Sequence, residues 1–183
     1  MDARVEVARH GDVEDDQRAA GSAAFRRTRP ACQQVPGDHV AVRAGASKPD
    51  ISSGDALKRA LLAAQSIAYS SSASGIYLAG LFERMGIADE LKSRIKQSPP
   101  GTPVGELVKR GEAEIGFQQV SELLPIVGID FLGPLSADIQ HFTVFAGGVH
   151  VEAQAPEGAT ALMRFITDPA AAPVIRKSGM EPV

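Results

Sequence analysis

The chain has 183 residues, enough for one ordinary domain or two small lobes. Its net charge of −3 at pH 7 gives no reason to expect nucleic acid as a partner. Its one cysteine, Cys32, excludes an internal disulfide and a thiolate metal cluster. No run of the sequence approaches the ~20 apolar residues of a membrane span.

The first part of the chain differs in composition from the rest. Six of the thirteen arginines precede residue 30, whereas the first lysine is Lys48. Large apolar residues are few there and follow no period, so this part is predicted to supply no buried face. Two interpretations stay open, a disordered arginine-bearing tail and a misread frame or misplaced start. Residues 1–38 are predicted to be irregular or non-native, with no visible signal peptide.

From His39 onward the sequence predicts alternating strands and helices. Strands are predicted at 39–46, 66–70, 115–118, 129–132 and 141–149. Helices are predicted at 55–64, 74–85, 89–97, 103–110, 156–167 and 169–177. Ser53 and Thr102 are the expected caps of the first and the fourth helix. This alternation predicts an α/β fold with a mainly parallel sheet flanked by helices.

The sequence offers little that is typical of catalysis. His141 and His150 bracket one strand, too far apart along it to share a metal ion. Ser74 and Gly75 open a helix, but the sequence places no histidine to activate the serine. We therefore predict no catalytic residue, no metal and no cofactor, and expect that the chain is not an enzyme.

The stretch from Ser66 to Met85, SIAYSSSASGIYLAGLFERM, is the most informative one. It predicts a short buried strand, a serine-rich turn and an amphipathic helix. Hydroxyls and unpaired backbone N–H groups at a helix N-terminus form a good anion site. A polar turn with a capping serine is also what any α/β protein needs, so the turn alone decides nothing.

A second polar strand end shifts the balance towards a binding site. In GEAEIGFQQVSELLP, at 111–125, a predicted strand ends in Gln118 and Gln119, and Ser121 opens a turn of helix. Open α/β sheets bind ligands at the carboxyl ends of their strands. Two such ends predict one opening lined by neutral donors, which suits an oxyanion held by dipoles.

Four segments in order carry a resemblance to a known family. They are SIAYSSSASGIYLAGLFERMGI, GELVKRGEAEIGFQQVSELLP, IDFLGPLSADIQHFTVFAGGV and ATALMRFITDPAAAPVIRKSGMEP. Together they resemble the molybdate-type extracellular solute-binding proteins of ABC transporters, of the second periplasmic-binding-protein class. The resemblance covers roughly His39 to Val183.

The resemblance implies a two-lobed α/β fold linked by two strands, here Val40–Ala44 and Phe142–Val149. It implies a second-lobe domain at 39–140 and first-lobe elements at 141–183, with most of the first lobe absent. The second-lobe ligand contacts would be Ser70, Ser71, Ser72, Ser74, Gln118 and Gln119. The terminal helices at 156–177 would lack a covering sheet, which predicts an exposed apolar patch and self-association.

The resemblance implies a substrate-binding component that binds a small oxyanion such as molybdate and partners an ABC transporter membrane subunit. Its location would be periplasmic. Two alternatives stay open. One is a cytoplasmic ligand-sensing module built on the same lobe, and the other is a truncated chain with weak or no binding.

Overall fold

The computed structural model describes residues 25–36, 38–99 and 101–182. These residues divide into two compact units. The larger unit spans Pro36–Phe142, and the smaller one combines the strand before it with the chain from Thr143 onward.

The larger unit is built on a five-stranded mixed sheet. Its strands are β2 (Asp38–Arg43), β3 (Ile67–Ser70), β4 (Ile95–Ser98), β5 (Ile115–Gln119) and β6 (Ile129–Pro134), in the order β4-β3-β5-β2-β6. β3 pairs in parallel with β4 and β5, whereas β2 pairs antiparallel with β5 and β6. The α/β class is confirmed. The sheet was predicted to be mainly parallel, but two of its four strand pairs are antiparallel.

Among the described residues, five helices accompany this sheet, namely α1 (Gly54–Ala63), α2 (Ala73–Arg84), α3 (Ala88–Leu91), α4 (Val104–Lys109) and α5 (Val120–Leu123). α1 begins as predicted, because the Ser53 hydroxyl accepts a hydrogen bond from Ala56 N at 3.2 Å. The apolar stripes of α1 and α2 supply Leu57, Leu61, Leu78 and Phe82 to one core with the sheet.

A second, smaller core lies where α4 packs on the sheet through Val104 and Val108. A Cβ atom on Gly116 would lie 2.4 Å from Val108 Cγ2, so the glycine lets the helix approach the strand closely. This contact fixes α4 over β5, next to the strand end that carries Gln118.

Two predicted local features of the larger unit are wrong. The helix predicted at 89–97 ends at Leu91, and Ile95–Ser98 forms the edge strand β4, because parallel pairing with β3 satisfies its backbone. Thr102 does not cap α4. Pro103 occupies the N-cap position, and the Thr102 carbonyl instead accepts a hydrogen bond from the Ser98 hydroxyl.

The smaller unit has a three-stranded sheet in the order β7-β1-β8, formed by β1 (Phe25–Pro36), β7 (Phe142–His150) and β8 (Glu181–Pro182). Its helices are α6 (Pro156–Ile166), a 3-10 turn (Pro169–Ala171) and α7 (Ala172–Lys177). Val149 and Met163 form its buried hydrophobic cluster among the described side chains.

The strand β1 corrects the prediction that residues 1–38 are irregular. Phe25–Pro36 takes the central position of the smaller sheet, where Gln33 and Gln34 pair with Pro182 and Glu181. Backbone pairing on both edges needs no apolar period in the sequence, which is why composition did not indicate it. Residues 1–24 of the predicted irregular segment lie outside the described residues.

The predicted first linking strand, Val40–Ala44, lies within the five-stranded sheet as β2. The chain passes between units before that strand, at Val35 and Pro36, and again at Phe142 and Thr143. The finer domain boundaries stay a prediction. Of the helices that the structure describes, none is long and apolar enough to cross a membrane.

Candidate functional site

Three polar features meet at one edge of the five-stranded sheet. The parallel strands β3 and β5 run side by side, with Tyr69 opposite Phe117, so their carboxyl ends lie at the same edge. The antiparallel strand β2 begins at that edge, with Asp38 opposite Gln119. The sequence prediction that the serine turn and the Gln118–Gln119 strand end share one edge therefore agrees with the topology.

The serine turn brings three hydroxyls into contact. Ser70 Oγ lies 2.6 Å from Ser72 Oγ, and Ser74 Oγ lies 3.3 Å from Ser72 Oγ and 3.5 Å from Ser70 Oγ. Ser74 is buried, while Ser70 and Ser72 are half-buried. Ser71 is exposed and takes no part in the hydrogen bonds among these hydroxyls. We call Ser70, Ser72 and Ser74 the serine cluster.

Gly75 makes this cluster sterically feasible. A Cβ atom at this position would lie 1.7 Å from the carbonyl oxygen of Ser70, so α2 can begin this close to β3 only with glycine there. One interpretation of this turn from the sequence was that a serine caps the following helix. Ser72 occupies the N-cap position without a side-chain cap bond, so the first N–H groups of α2 lack a capping partner from it.

The side chain of Gln118 makes a hydrogen bond within the fold. This side chain is buried, and its Oε1 atom accepts a hydrogen bond from Val104 N at 2.8 Å. The amide oxygen thus caps α4 in place of the predicted Thr102. The amide nitrogen is the group of Gln118 that could donate to an anion. Gln119 is half-buried at the end of β5.

The sequence analysis missed Asp38, which begins β2. Its side chain is fully buried, and neither carboxylate oxygen has a hydrogen-bond partner of standard geometry among the described residues. Burial raises the pKa of Asp38 to about 7; the nearby Ser74 hydroxyl opposes this rise and the Glu122 charge adds to it. An aspartate directly before the apolar run His39–Val42 was the available signal, but it fell inside the segment predicted to be irregular.

The edge thus holds neutral donors, a helix N-terminus and one buried carboxyl group. A small anion suits the donors, and a carboxyl group with a pKa near neutrality can exchange a proton. The described residues include no group of three or more His, Cys, Asp and Glu side chains that could hold a metal ion. The roles of the six predicted contact residues stay a prediction.

The chain belongs to the family of bacterial extracellular solute-binding proteins, whose family model matches residues 37–181. A ligand-binding role follows from this membership, and the predicted resemblance is confirmed for the family and the fold. The preference for molybdate stays a prediction.

Relatives and solved structures name different ligands. A Pseudomonas protein named aconitate isomerase is 46% identical over 145 residues, which cover 79% of this chain and 55% of the relative. A periplasmic molybdate-binding protein of Azotobacter vinelandii has a TM-score of 0.64 at 15% identity, covering 95% of this chain and 77% of that one. A periplasmic thiamin-binding protein has a TM-score of 0.65 at 14% identity, covering 97% and 65%.

These comparisons correct one prediction. The expectation that the chain is not an enzyme is wrong, because a relative that is 46% identical is named for an enzymatic activity. A single buried carboxyl group fits neither a nucleophile beside a histidine base nor a set of metal ligands, the two patterns on which the expectation depended. The chain spans just over half the length of that relative.

Proposed function

We propose that this protein binds a small polycarboxylate and takes part in its isomerisation. The observation that carries the proposal is the 46% identity to the Pseudomonas aconitate isomerase. The serine cluster supports it, because a carboxylate is an oxyanion and suits the same hydroxyl and N–H donors that the sequence analysis assigned to molybdate.

The isomerisation of aconitate requires only a few functional groups from a protein. Aconitate is a propene with three carboxylates, and its methylene hydrogens are acidified by the neighbouring double bond and carboxylate. A base that removes one methylene proton leaves an allylic carbanion, and a proton returned at the other end of the allyl system moves the double bond. The protein must supply a proton acceptor and donor, and donors that stabilise the carboxylate bearing the developing charge.

The polar edge of the larger unit offers groups of these kinds. The serine cluster supplies hydroxyls, the beginning of α2 supplies backbone N–H groups, and Asp38 supplies a carboxyl group that can exchange a proton near neutral pH. In this assignment Ser70, Ser72 and Ser74 hold a carboxylate, with Gln118 and Gln119 on the neighbouring strand end.

A receptor role is the second candidate, and family membership favours it. In that role the chain is the substrate-binding component that delivers an oxyanion such as molybdate to the membrane subunit of an ABC transporter. The family's extracellular designation supports a periplasmic location for either function. A cytoplasmic sensing module remains the alternative to a periplasmic protein. Since the chain covers 55% of its relative, a third outcome is weak or no binding.

One set of measurements tests the proposal. The purified chain is incubated with cis-aconitate and with trans-aconitate, and the appearance of the other isomer is followed by proton NMR. Thermal shifts with both aconitates, molybdate, tungstate, sulfate and phosphate report binding, because a ligand of the folded state raises its stability. We expect conversion of aconitate and a shift with the carboxylates. Molybdate binding without conversion would favour the receptor.

A double variant links the result to the serine cluster. Ser70→Ala with Ser72→Ala removes the two half-buried hydroxyls and is expected to abolish the aconitate shift. Ser47→Ala is the matched control, because Ser47 is exposed and follows the opposite end of β2. Unchanged binding in the double variant would show that the anion lies elsewhere.

A further inference from the structure

Ser70 and Gln118 stand side by side on one face of the larger sheet. Ala68 of β3 pairs with Gly116 of β5, and both residues face α4. Side chains alternate along a strand, so Ser70 and Gln118, each two residues further on, return to that face at the same level. Neighbouring strands lie only about 4.8 Å apart. The Gln118 side chain is therefore the neighbour of Ser70, the strand-end member of the serine cluster.

Burial and one hydrogen bond fix the orientation of the Gln118 amide. The residue is 4% exposed, and its Oε1 atom accepts the hydrogen bond from Val104 N at 2.8 Å. A flipped amide would set Nε2 against Val104 N, which places two donors together. The oxygen is therefore held on Val104, and the planar amide turns its NH2 group away from that contact.

The NH2 group of Gln118 is left for a partner outside the chain. Among the described residues, none accepts a hydrogen bond from Nε2 in standard geometry. Nε2 is also not one of the described side-chain atoms that are sealed from solvent without a partner. Two amide hydrogens of fixed direction thus remain next to the hydroxyls of the serine cluster. A bound acceptor would satisfy them, whereas a donor would leave them unpaired.

We propose that Gln118 is the specificity-determining donor of the serine cluster: it pairs with ligand groups that only accept hydrogen bonds, such as ionised carboxylates or sulfate, and offers no acceptor to groups that must donate. The inference rests on the anion site of the proposed function, though not on which anion occupies it. Serine hydroxyls can donate or accept, so the fixed amide is the member of this site that gives it a sign.

Gln118→Glu reverses the donor while keeping the contact to α4. The new side chain retains an oxygen for Val104 N and places a second oxygen where Nε2 was. When it is ionised, it repels an anion and donates nothing, so affinity at about pH 8 is expected to fall at least about tenfold. When it is protonated, it donates again, so affinity is expected to recover as the pH falls to about 5.

Isothermal titration calorimetry of the whole chain measures these affinities, with trans-aconitate and, separately, with sulfate. Sulfate is the reference anion because its own charge is constant over this pH range. Gln65→Glu is the matched control, because Gln65 is exposed and precedes β3 at the opposite edge of the sheet. It adds the same charge away from the site and should leave affinity and its pH profile unchanged. Circular dichroism shows whether each variant is folded.

A second measurement uses the wild-type chain alone. The side-chain amide of Gln118 gives its own pair of signals in a proton–nitrogen correlation spectrum. Saturation with trans-aconitate or sulfate is expected to shift these signals, because one amide hydrogen gains a charged acceptor. The side-chain amide signals of Gln65 should stay in place.

The outcomes separate this inference from the proposed function. Affinity that is lost in Gln118→Glu at alkaline pH and regained at acid pH supports the inference, whether or not aconitate is converted. Equal affinity of wild type and Gln118→Glu at every pH overturns it and leaves the isomerase standing. If Gln118→Glu does not fold, or loses affinity at every pH, the wild-type amide signals decide: a shift supports the inference, and unmoved Gln118 signals overturn it. Absence of binding by either anion overturns the anion site on which both proposals rest.

Discussion

The two units of this protein differ in how well their apolar faces are covered. In the unit Pro36–Phe142, fifteen buried hydrophobic residues form one core between the sheet and its helices. In the unit that begins again at Thr143, the described buried cluster is Val149 and Met163, while the side chains of Leu162, Phe165 and Val174 are 50%, 72% and 71% exposed. The helices of the larger unit thus bury their apolar stripes, whereas those of the smaller unit bury Met163 and Ile175 and expose other large apolar side chains.

This difference places both stability and the candidate site in the same unit. Burial of apolar surface is the dominant favourable term in folding. The larger unit therefore supplies most of the favourable folding free energy that the described residues contribute. Asp38, the serine cluster and Gln118 all lie on its strand and helix ends. Sites supported by packed elements hold their geometry better than sites on loops. The site should therefore depend on the packing of the larger core.

The same substitution made in both units gives the largest contrast. Leu57→Ala removes a fully buried side chain from the main core and is expected to cost about 2–5 kcal/mol of unfolding free energy. Leu162→Ala removes a half-exposed side chain and is expected to cost about 1 kcal/mol or less. Urea unfolding followed by circular dichroism measures both.

Tyrosine fluorescence sharpens this measurement. The chain has two tyrosines and no tryptophan, and Tyr69 and Tyr77 both belong to the larger unit. Leu57→Ala should shift the fluorescence transition to lower urea, whereas Leu162→Ala should leave it in place. Equal shifts for the two variants would contradict the contrast between the units.

The larger unit was also the more predictable one. Its helices show a clear apolar stripe, and Ser53 capped α1 as its position predicts. The strand β4 was missed because Ile95–Ser98 is a short edge strand that follows a helical pattern without a break. β1 was missed because its sequence, FRRTRPACQQVP, lacks the alternation of a half-buried strand. Sequence periodicity reports side-chain burial, and these strands depend on backbone pairing.

The second prediction concerns the pH dependence of stability that Asp38 imposes. In the unfolded chain an aspartate loses its proton near pH 3.9, whereas in the folded protein the pKa of Asp38 is about 7. Between these values the folded state binds more protons, so stability falls as pH rises and is level above about pH 7. The full loss is about 4 kcal/mol, by linkage over a difference of about three pKa units.

Asp38→Asn removes this dependence. At pH 8 the variant is expected to be more stable than wild type by up to about 4 kcal/mol, and near pH 4 the two should be similar. Asp130→Asn tests the opposite sign, since hydrogen bonding to Lys48 lowers the pKa of Asp130 and its ionised form stabilises the fold. Urea unfolding at several pH values checks both. A wild-type stability that rises between pH 4 and 7 in step with Asp38 would contradict this account.

The third prediction concerns the close approach of α2 to β3. Gly75→Ala would place a Cβ atom 1.7 Å from the Ser70 carbonyl oxygen and 2.9 Å from Tyr69 Cδ2. The helix must move, at a cost of about 1–3 kcal/mol, and the serine cluster should open. Gly80→Ala is the matched control in the same helix, where the nearest atom is Arg84 Nη1 at 3.4 Å. It is expected to gain about 0.5–1 kcal/mol. Thermal unfolding and anion binding should both separate the two variants.

The candidate site was predictable only in part. That the serine turn and the Gln118–Gln119 strand end lie at one edge was predictable, because the carboxyl ends of neighbouring parallel strands meet there; their role in binding stays a prediction. That the Gln118 oxygen caps α4 could not be inferred, because Val104 lies fourteen residues earlier in the chain. The position of Asp38 directly before a predicted strand was its one signal in the sequence, and its raised pKa could not be inferred because it depends on burial and on Ser74 and Glu122, which are distant in sequence.

The last and smallest expected effect on stability is at the uncovered face of the smaller unit. Phe165 and Val174 line an apolar surface depression of about 510 Å³ with Ile166 and Ile175. The double variant Phe165→Ser, Val174→Ser is expected to change the unfolding free energy by about 0.5 kcal/mol or less, because both side chains are largely exposed. It should nonetheless reduce binding of a hydrophobic dye and shift self-association to higher protein concentration, as the sequence analysis predicts for an exposed patch. Static light scattering against concentration measures the second effect. A large loss of stability would show that these side chains are covered in solution, and the contrast between the two units would then no longer hold.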